Sequence, residues 1–131
     1  MRRTRLTRTA CGPLAALLLA SACADAKDVI SQEALLAQMQ NGEDPVILDV
    51  RSAREYQQGH VPGAVNLPYQ QIGQRLAELE QVKDREVIVY CEVGRRARIA
   101  RSTLQQAGFT NVRHLAGDMA GWRRAGLPTS R

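Results

Sequence analysis

Short apolar runs alternate along the chain with segments that carry apolar residues at helical spacing. The runs "PVILDV" (45–50) and "REVIVY" (85–90) are rich in β-branched residues and too short for helices, so they predict strands buried on both faces. "KDVIS", "GAVNL" and "FTNVRHL" predict three shorter strands. Because strands and helices alternate over short connections, we expect an α/β layered domain whose parallel sheet has helices on both faces.

The helices are predicted from capping residues and apolar spacing. Ser31 is expected to cap a helix that ends at Asn41 and Gly42. Ser52 and Glu55 have the spacing of a capping box, so a second helix should open directly after strand 45–50 and run to about residue 59.

Three further helices are predicted in the second half of the chain. Residues 69–82 predict a helix interrupted near Gly73, and residues 119–125 predict the last helix. Between them, residues 96–107 predict a helix that Gly108 terminates. The inward side of this helix is expected to carry Ile99, Leu104 and Ala107.

Residues 1–26 have the pattern of a secretory signal, with basic "MRRTRLTR", an apolar run over residues 12–20 and small residues "SACADA". "ASAC" resembles a bacterial lipobox, although Ala20 replaces the usual Leu. Lipidation at Cys23 and ordinary cleavage before Asp25 therefore stay alternatives. We expect residues 27–131 to form one monomeric domain in the periplasm, either free or held to the membrane through a lipid anchor at Cys23.

The formal net charge of +5 reflects the leader more than the domain. From Cys23 onwards the chain has 14 basic and 13 acidic side chains, so we expect no nucleic-acid partner. Residues 23–90 carry 6 basic and 11 acidic side chains, whereas residues 91–131 carry 8 and 2. The positive field therefore belongs to the half of the chain that contains Cys91.

With Cys11 in the leader and Cys23 at the expected cleavage point, Cys91 is the one thiol of the domain. It directly follows strand 85–90, where ligands of parallel α/β sheets bind. A helix N-terminus and nearby arginines favour a thiolate, and Gly94 would let the loop curl with its amides inward. This pattern indicates a nucleophile, with a structural buried thiol as the alternative. The few cysteines and histidines predict no metal site.

Loop length separates the chemistries that use such a cysteine. A phosphatase loop has five residues between Cys and Arg, whereas here Arg96 is the fifth residue after Cys91. The tighter loop suits a persulfide better than a phosphoryl group. A cysteine hydrolase would need His60 or His114 as its base, and neither has an evident Asn or Asp orienter in the sequence. One turn further along, a solvated helix face is expected to carry Arg98 and Arg101.

"CEVGRR" (91–96) resembles the six-residue active-site loop of rhodaneses, Cys-x-x-Gly-x-Arg. "LDVRSAREYQQGHVPGAVNLP" (48–68) and "LAGDMAGWRRAGLP" (115–128) are similar to the upstream and carboxyl-terminal signatures of that family. The three motifs occur in the family's order over roughly residues 29–128, which makes the resemblance specific. Asp118 stands where the family usually has a second Gly, so the turn there is expected to need a left-handed residue.

The resemblance implies a five-stranded parallel core and a sulfurtransferase that uses no metal or organic cofactor. Cys91 would take a sulfane sulfur from thiosulfate or a similar anionic donor as a persulfide, and pass it to a thiophilic acceptor, cyanide or a thiol. Arg96 would close the loop, and Arg95 would attract the donor. Glu92 could dampen the acidity of the thiol and shift the donor preference. The implied binding residues, whose amides cradle the persulfide, are Glu92, Val93, Gly94, Arg95 and Arg96.

Structural roles compete with ligand binding at four upstream residues, Asp49, Arg51, Glu55 and His60. The capping box already accounts for Glu55, and Trp122 is expected to pack in the core or at its rim. For the whole domain, the alternative to an enzyme is a rhodanese-fold binding module or sulfur carrier with a protein partner. The intact cysteine and both loop arginines favour the enzyme.

Overall fold

Five parallel strands form the centre of the computed structural model, which describes residues 27–131. The strands are β1 Val29–Ile30, β2 Val46–Asp49, β3 Val65–Asn66, β4 Val87–Tyr90 and β5 Val112–Leu115. Their order across the sheet is β1-β5-β4-β2-β3, and every pair is parallel. The predicted α/β fold with a five-stranded parallel sheet is confirmed. The predicted signal peptide lies outside the described residues.

The helices begin and end close to their predicted positions. They are α1 Gln32–Gln40, α2 Ala53–Gln57, α3 Arg95–Gln106 and α4 Asp118–Arg124. The Ser31 hydroxyl accepts the Ala34 N–H at 3.1 Å, and Ser52 and Glu55 form the predicted capping box. Within residues 27–131 no helix is long and apolar enough to cross a membrane.

The helix predicted over residues 69–82 is instead two 3₁₀ helices, η1 Tyr69–Gln74 and η2 Leu76–Val82, and the break lies at Arg75 rather than Gly73. A 3₁₀ helix has three residues per turn, so side chains three positions apart share one face. Within each of the two helices the apolar residues that pack on the core have that spacing, and they are Tyr69 and Ile72 in η1 and Leu76, Leu79 and Val82 in η2.

Two apolar clusters cover the two faces of the sheet, as the uninterrupted apolar strands predicted. Because side chains alternate along a strand, Val87, Val89 and Cys91 join the cluster under α3, whereas Ile88 and Tyr90 join the cluster under α1 and α4. Trp122 is fully buried in the second cluster, as expected.

The inward face of α3 follows the prediction at Leu104, which is buried, and at Ala107, which packs against the core, but not at Ile99. Ile99 is 46% exposed, and the buried residues are Ala97, Ala100 and Leu104. Two small alanines let the helix approach the sheet closely, so size rather than hydrophobicity set which side turned inward. Arg101 was expected on a solvated face, which is wrong, because its Nε donates to the Val112 carbonyl at 3.0 Å.

Candidate active site

Cys91 lies directly beyond β4, at the carboxyl edge of the sheet, and its side chain is 1% exposed. The chain then turns at Gly94, the N-cap of α3, and the Gly94 N–H donates to the Cys91 Sγ at 3.0 Å. The sulfur therefore lies at the amino end of a helix of 12 residues. The amide hydrogen bond and the helix end both place positive partial charge next to the sulfur.

Only glycine fits at position 94. The backbone angle φ of Gly94 is +107°, in a region that residues with a Cβ rarely adopt. A Cβ there would also lie 3.1 Å from Asp118 Oδ2 and 3.2 Å from His114 Cε1. The tight loop thus depends on Gly94 for both its backbone conformation and its packing.

Arg96 lies beside the thiol, but its guanidinium is paired with a carboxylate. Its two terminal nitrogens donate to the two oxygens of Glu55 at 2.7 and 2.9 Å. This bidentate hydrogen bond, helped by Ser52, lowers the pKa of Glu55 to about 2. The pKa of Arg96 is raised, first by Glu55 and then, against the cost of burial, by the charge of Cys91. The pair joins α2 to the active-site loop.

A buried ionic cluster fixes the strand ends next to the loop. Asp49 lies opposite Tyr90 in the pairing of β2 with β4, and it accepts the Tyr90 hydroxyl at 2.8 Å and an Arg51 nitrogen at 2.7 Å. Arg51 also donates to the Gly59 carbonyl at 2.8 Å. Burial and then the Asp49 charge raise the pKa of Tyr90, while Asp49 raises the pKa of Arg51 against the effect of burial.

Glu92 ties the loop to its surroundings. Its carboxylate lies 3.3 Å from Arg51 Nη1 and also pairs with Arg123 of α4, and its backbone carbonyl accepts the Ala120 N–H at 3.1 Å. The guanidinium groups of Arg51 and Arg123 therefore balance the negative charge of Glu92, which was expected to act on the Cys91 thiol. The other two predicted loop residues, Val93 and Arg95, point to solvent.

Asp118 adopts the left-handed backbone predicted for it, with φ +53°. Its Oδ1 accepts the Cys91 N–H at 2.9 Å, and its two oxygens lie 2.9 and 3.0 Å from His114 Nε2. The expectation that His114 lacks an acidic orienter is therefore wrong. The signal was present as a His and an Asp four residues apart, but the contact depends on β5 ending and α4 beginning between them.

His60 is not part of this group. Its ring stacks on Tyr56 with centroids 3.7 Å apart, and its Nδ1 lies 2.9 Å from the Tyr56 carbonyl. These contacts agree with a structural role for His60, which was one of the two alternatives, the other being ligand binding. A cleft of about 670 Å³ opens beside the loop, and its lining includes Glu55, Glu92 and Arg123.

Comparison with known proteins adds to this geometry. Residues 31–125 match the rhodanese-like domain family. A protein of Allochromatium vinosum named sulfurtransferase is 37% identical over 99 residues, which are 76% of this chain and 91% of that protein. The chain belongs to the rhodanese-like family.

Other rhodanese-like proteins agree with this assignment. Thiosulfate sulfurtransferase PspE of Escherichia coli is 39% identical over 70 residues, 53% of this chain and 67% of that protein. A solved structure of a human single-domain sulfurtransferase has a TM-score of 0.65 at 25% identity and covers 73% of this chain and 95% of its own. Two other relatives are longer, and the chain spans 44% and 49% of their length. The predicted family and fold are confirmed, whereas the roles of the loop residues stay predictions.

Proposed function

We propose that the protein is a thiosulfate sulfurtransferase that carries the transferred sulfur as a persulfide on Cys91. The single observation that carries this proposal is the Gly94 N–H donating to the Cys91 Sγ at 3.0 Å at the start of α3. An anionic sulfur is needed both before and after sulfur transfer, and the same amide and helix end favour it in both states. The name of the E. coli relative supports thiosulfate as the donor.

In the first half-reaction the Cys91 thiolate attacks the outer sulfur of thiosulfate. A new S–S bond forms to Sγ, and the bond between the two donor sulfurs breaks, so its electron pair leaves with sulfite. Arg96 binds the donor's oxygens by exchanging part of its contact with Glu55, which also gives access to a thiol that is only 1% exposed. The exposed Arg95 attracts the anion.

In the second half-reaction a thiophilic acceptor, cyanide or a thiolate, attacks the outer sulfur of the persulfide. The bond to Sγ breaks, and its electron pair returns to Cys91 as the thiolate. The acceptor can approach from the cleft beside Glu92, which lies next to Cys91 in the chain. The proposed location is the periplasm, which the signal pattern of residues 1–26 supports.

The test is the mass of the protein after incubation with thiosulfate and no acceptor. It should gain one sulfur atom, and cyanide should remove it. Cys91→Ser is the matched control and should show neither change, because a hydroxyl forms no persulfide. If the native protein gains no sulfur under conditions in which a known rhodanese does, the enzyme proposal fails, and the binding module or sulfur carrier takes its place.

A further inference from the structure

Asp118 holds the backbone at the point where the active-site loop begins. Its Oδ1 accepts the Cys91 N–H at 2.9 Å, and the residue is 3% exposed. Among residues 27–131 it is the one non-glycine residue with a positive φ. Such strain persists only where surrounding contacts determine the conformation, and it often occurs at functional sites.

His114 fixes the direction of the Asp118 carboxylate. It lies on β5, between β1 and β4, and its Nε2 is within 3.0 Å of both carboxylate oxygens. Gly94 packs against this pair, since a Cβ on Gly94 would lie 3.1 Å from Asp118 and 3.2 Å from His114. The pair therefore contacts the loop at two places, the N–H of Cys91 and the backbone of Gly94.

We propose that Asp118, held by His114, is a positioning residue for Cys91. By fixing the Cys91 N–H and supporting Gly94, it keeps the Gly94 N–H directed at the sulfur. The hydrogen bond of Asp118 is to the Cys91 N–H, whereas the sulfur accepts from the Gly94 N–H, so Asp118 acts through the loop. This inference rests on Cys91 being the reactive thiol of the proposed function.

Two substitutions separate this role from the effect of charge. Asp118→Asn keeps an oxygen that can accept the Cys91 N–H and tolerates positive φ, while it removes the charge and one of the two oxygens that lie near His114 Nε2. Asp118→Gly also tolerates positive φ but removes the acceptor. The two variants share the loss of charge and the absence of added backbone strain, and they differ in whether the Cys91 N–H keeps its partner.

The measurement is the rate at which iodoacetamide alkylates Cys91 near neutral pH, with the modified peptide identified by mass spectrometry. Thiosulfate kcat and KM are measured beside it. Asp118→Gly should lower both the alkylation rate and kcat by about tenfold or more, the scale of a lost buried hydrogen bond, with a smaller change in KM. Asp118→Asn should stay within about threefold of the native rate. Asp84→Gly, at an exposed turn position, is the matched control and should leave the rate unchanged.

Equal losses in the Asn and Gly variants would overturn the proposal, because charge alone would then explain them. A native alkylation rate in Asp118→Gly would overturn it as well. If Asp118→Gly does not fold, His114→Leu provides the test, because leucine has no donor for the Asp118 carboxylate, and an unchanged alkylation rate in that variant contradicts the proposal. Alkylation needs no sulfur transfer. A protein that shows this pattern of rates but no thiosulfate turnover would therefore refute the proposed function and leave the positioning role standing.

Discussion

The ion pair between Glu55 and Arg96 should make part of the stability of the fold depend on pH. The pair is bidentate, and it lowers the pKa of Glu55 from an ordinary value of 4.5 to about 2. Because the folded-state pKa is the lower one, the stabilisation is fully present above about pH 4.5 and is lost as the pH falls towards about 2.

The size of the effect follows from the shift and from solvent exposure. At about 1.4 kcal/mol per pKa unit, the whole shift would correspond to roughly 3 to 4 kcal/mol. The two side chains are 28% and 32% exposed, so water screens the interaction. We therefore expect Glu55→Gln to lower the free energy of unfolding by about 1–2 kcal/mol near neutral pH.

Urea denaturation of the native protein and Glu55→Gln, repeated at several pH values from neutral to about pH 2, measures this contribution. The difference between the two should shrink towards zero at low pH, because a protonated Glu55 carries no more charge than a glutamine. Glu78→Gln, in the exposed pair with Arg75, is the matched control and should show a smaller difference. A Glu55→Gln difference that stays constant over this range would refute the reasoning.

Four further predictions follow from the site and the leader. Arg96→Ala should reduce thiosulfate turnover by about tenfold to a hundredfold. Arg98→Ala, on the exposed face of α3, should not reduce it. Equal small effects of the two substitutions would mean that both arginine side chains are only solvated. Gly94→Ala should slow persulfide formation, followed by mass, by about tenfold or more, because its Cβ meets a crowded turn at positive φ, and native loading would contradict this. Asp49→Ala should lower the free energy of unfolding in urea by about 3–5 kcal/mol, since it leaves the buried Arg51 guanidinium with only the longer ion pair to Glu92, and a loss below about 1 kcal/mol would count against it. Intact mass should show a mature chain that begins at Cys23, acylated, or a few residues later, and a chain that retains the leader would contradict both forms.

The central strands β2 and β4 could be predicted because they are buried on both faces. A strand such as "VIVY" then shows as an unbroken apolar run, and the capping residue Ser52 marks where the next helix opens. Residues 69–82 were harder, since leucines at spacings of three occur in both α and 3₁₀ helices. Ile99 is exposed because the small alanines of α3 face the sheet instead. The spacing of apolar residues in the sequence does not show which of them will face the sheet.

In the candidate site, features within one short stretch were predictable and contacts between distant stretches were not. Gly94, three residues after Cys91, showed in the spacing of the loop, whereas the need for a left-handed residue at Asp118 was implied by the resemblance to rhodaneses. Glu55, the partner of Arg96, is 41 residues away in the sequence, and its place in a capping box already accounted for a glutamate at that position. A carboxylate can serve a cap and an arginine at once, as Glu55 does here.

The charges around the thiol are more balanced than the composition suggested. Arg96 pairs with Glu55, while Glu92 lies between Arg51 and Arg123. Within residues 27–131 no carboxylate pairs with Arg95. The excess of arginine after residue 90 therefore acts on the sulfur less than its number implies. A paired charge gives a field that falls quickly with distance, whereas the Gly94 N–H donates directly to the sulfur at 3.0 Å. Under the proposed function, activation of the thiol would thus depend mainly on backbone geometry, and attraction of the donor would depend mainly on the exposed Arg95. If the proposed function holds, loop contacts and surface charge can therefore change independently, because the first would set how reactive the sulfur is and the second would set which donors reach it.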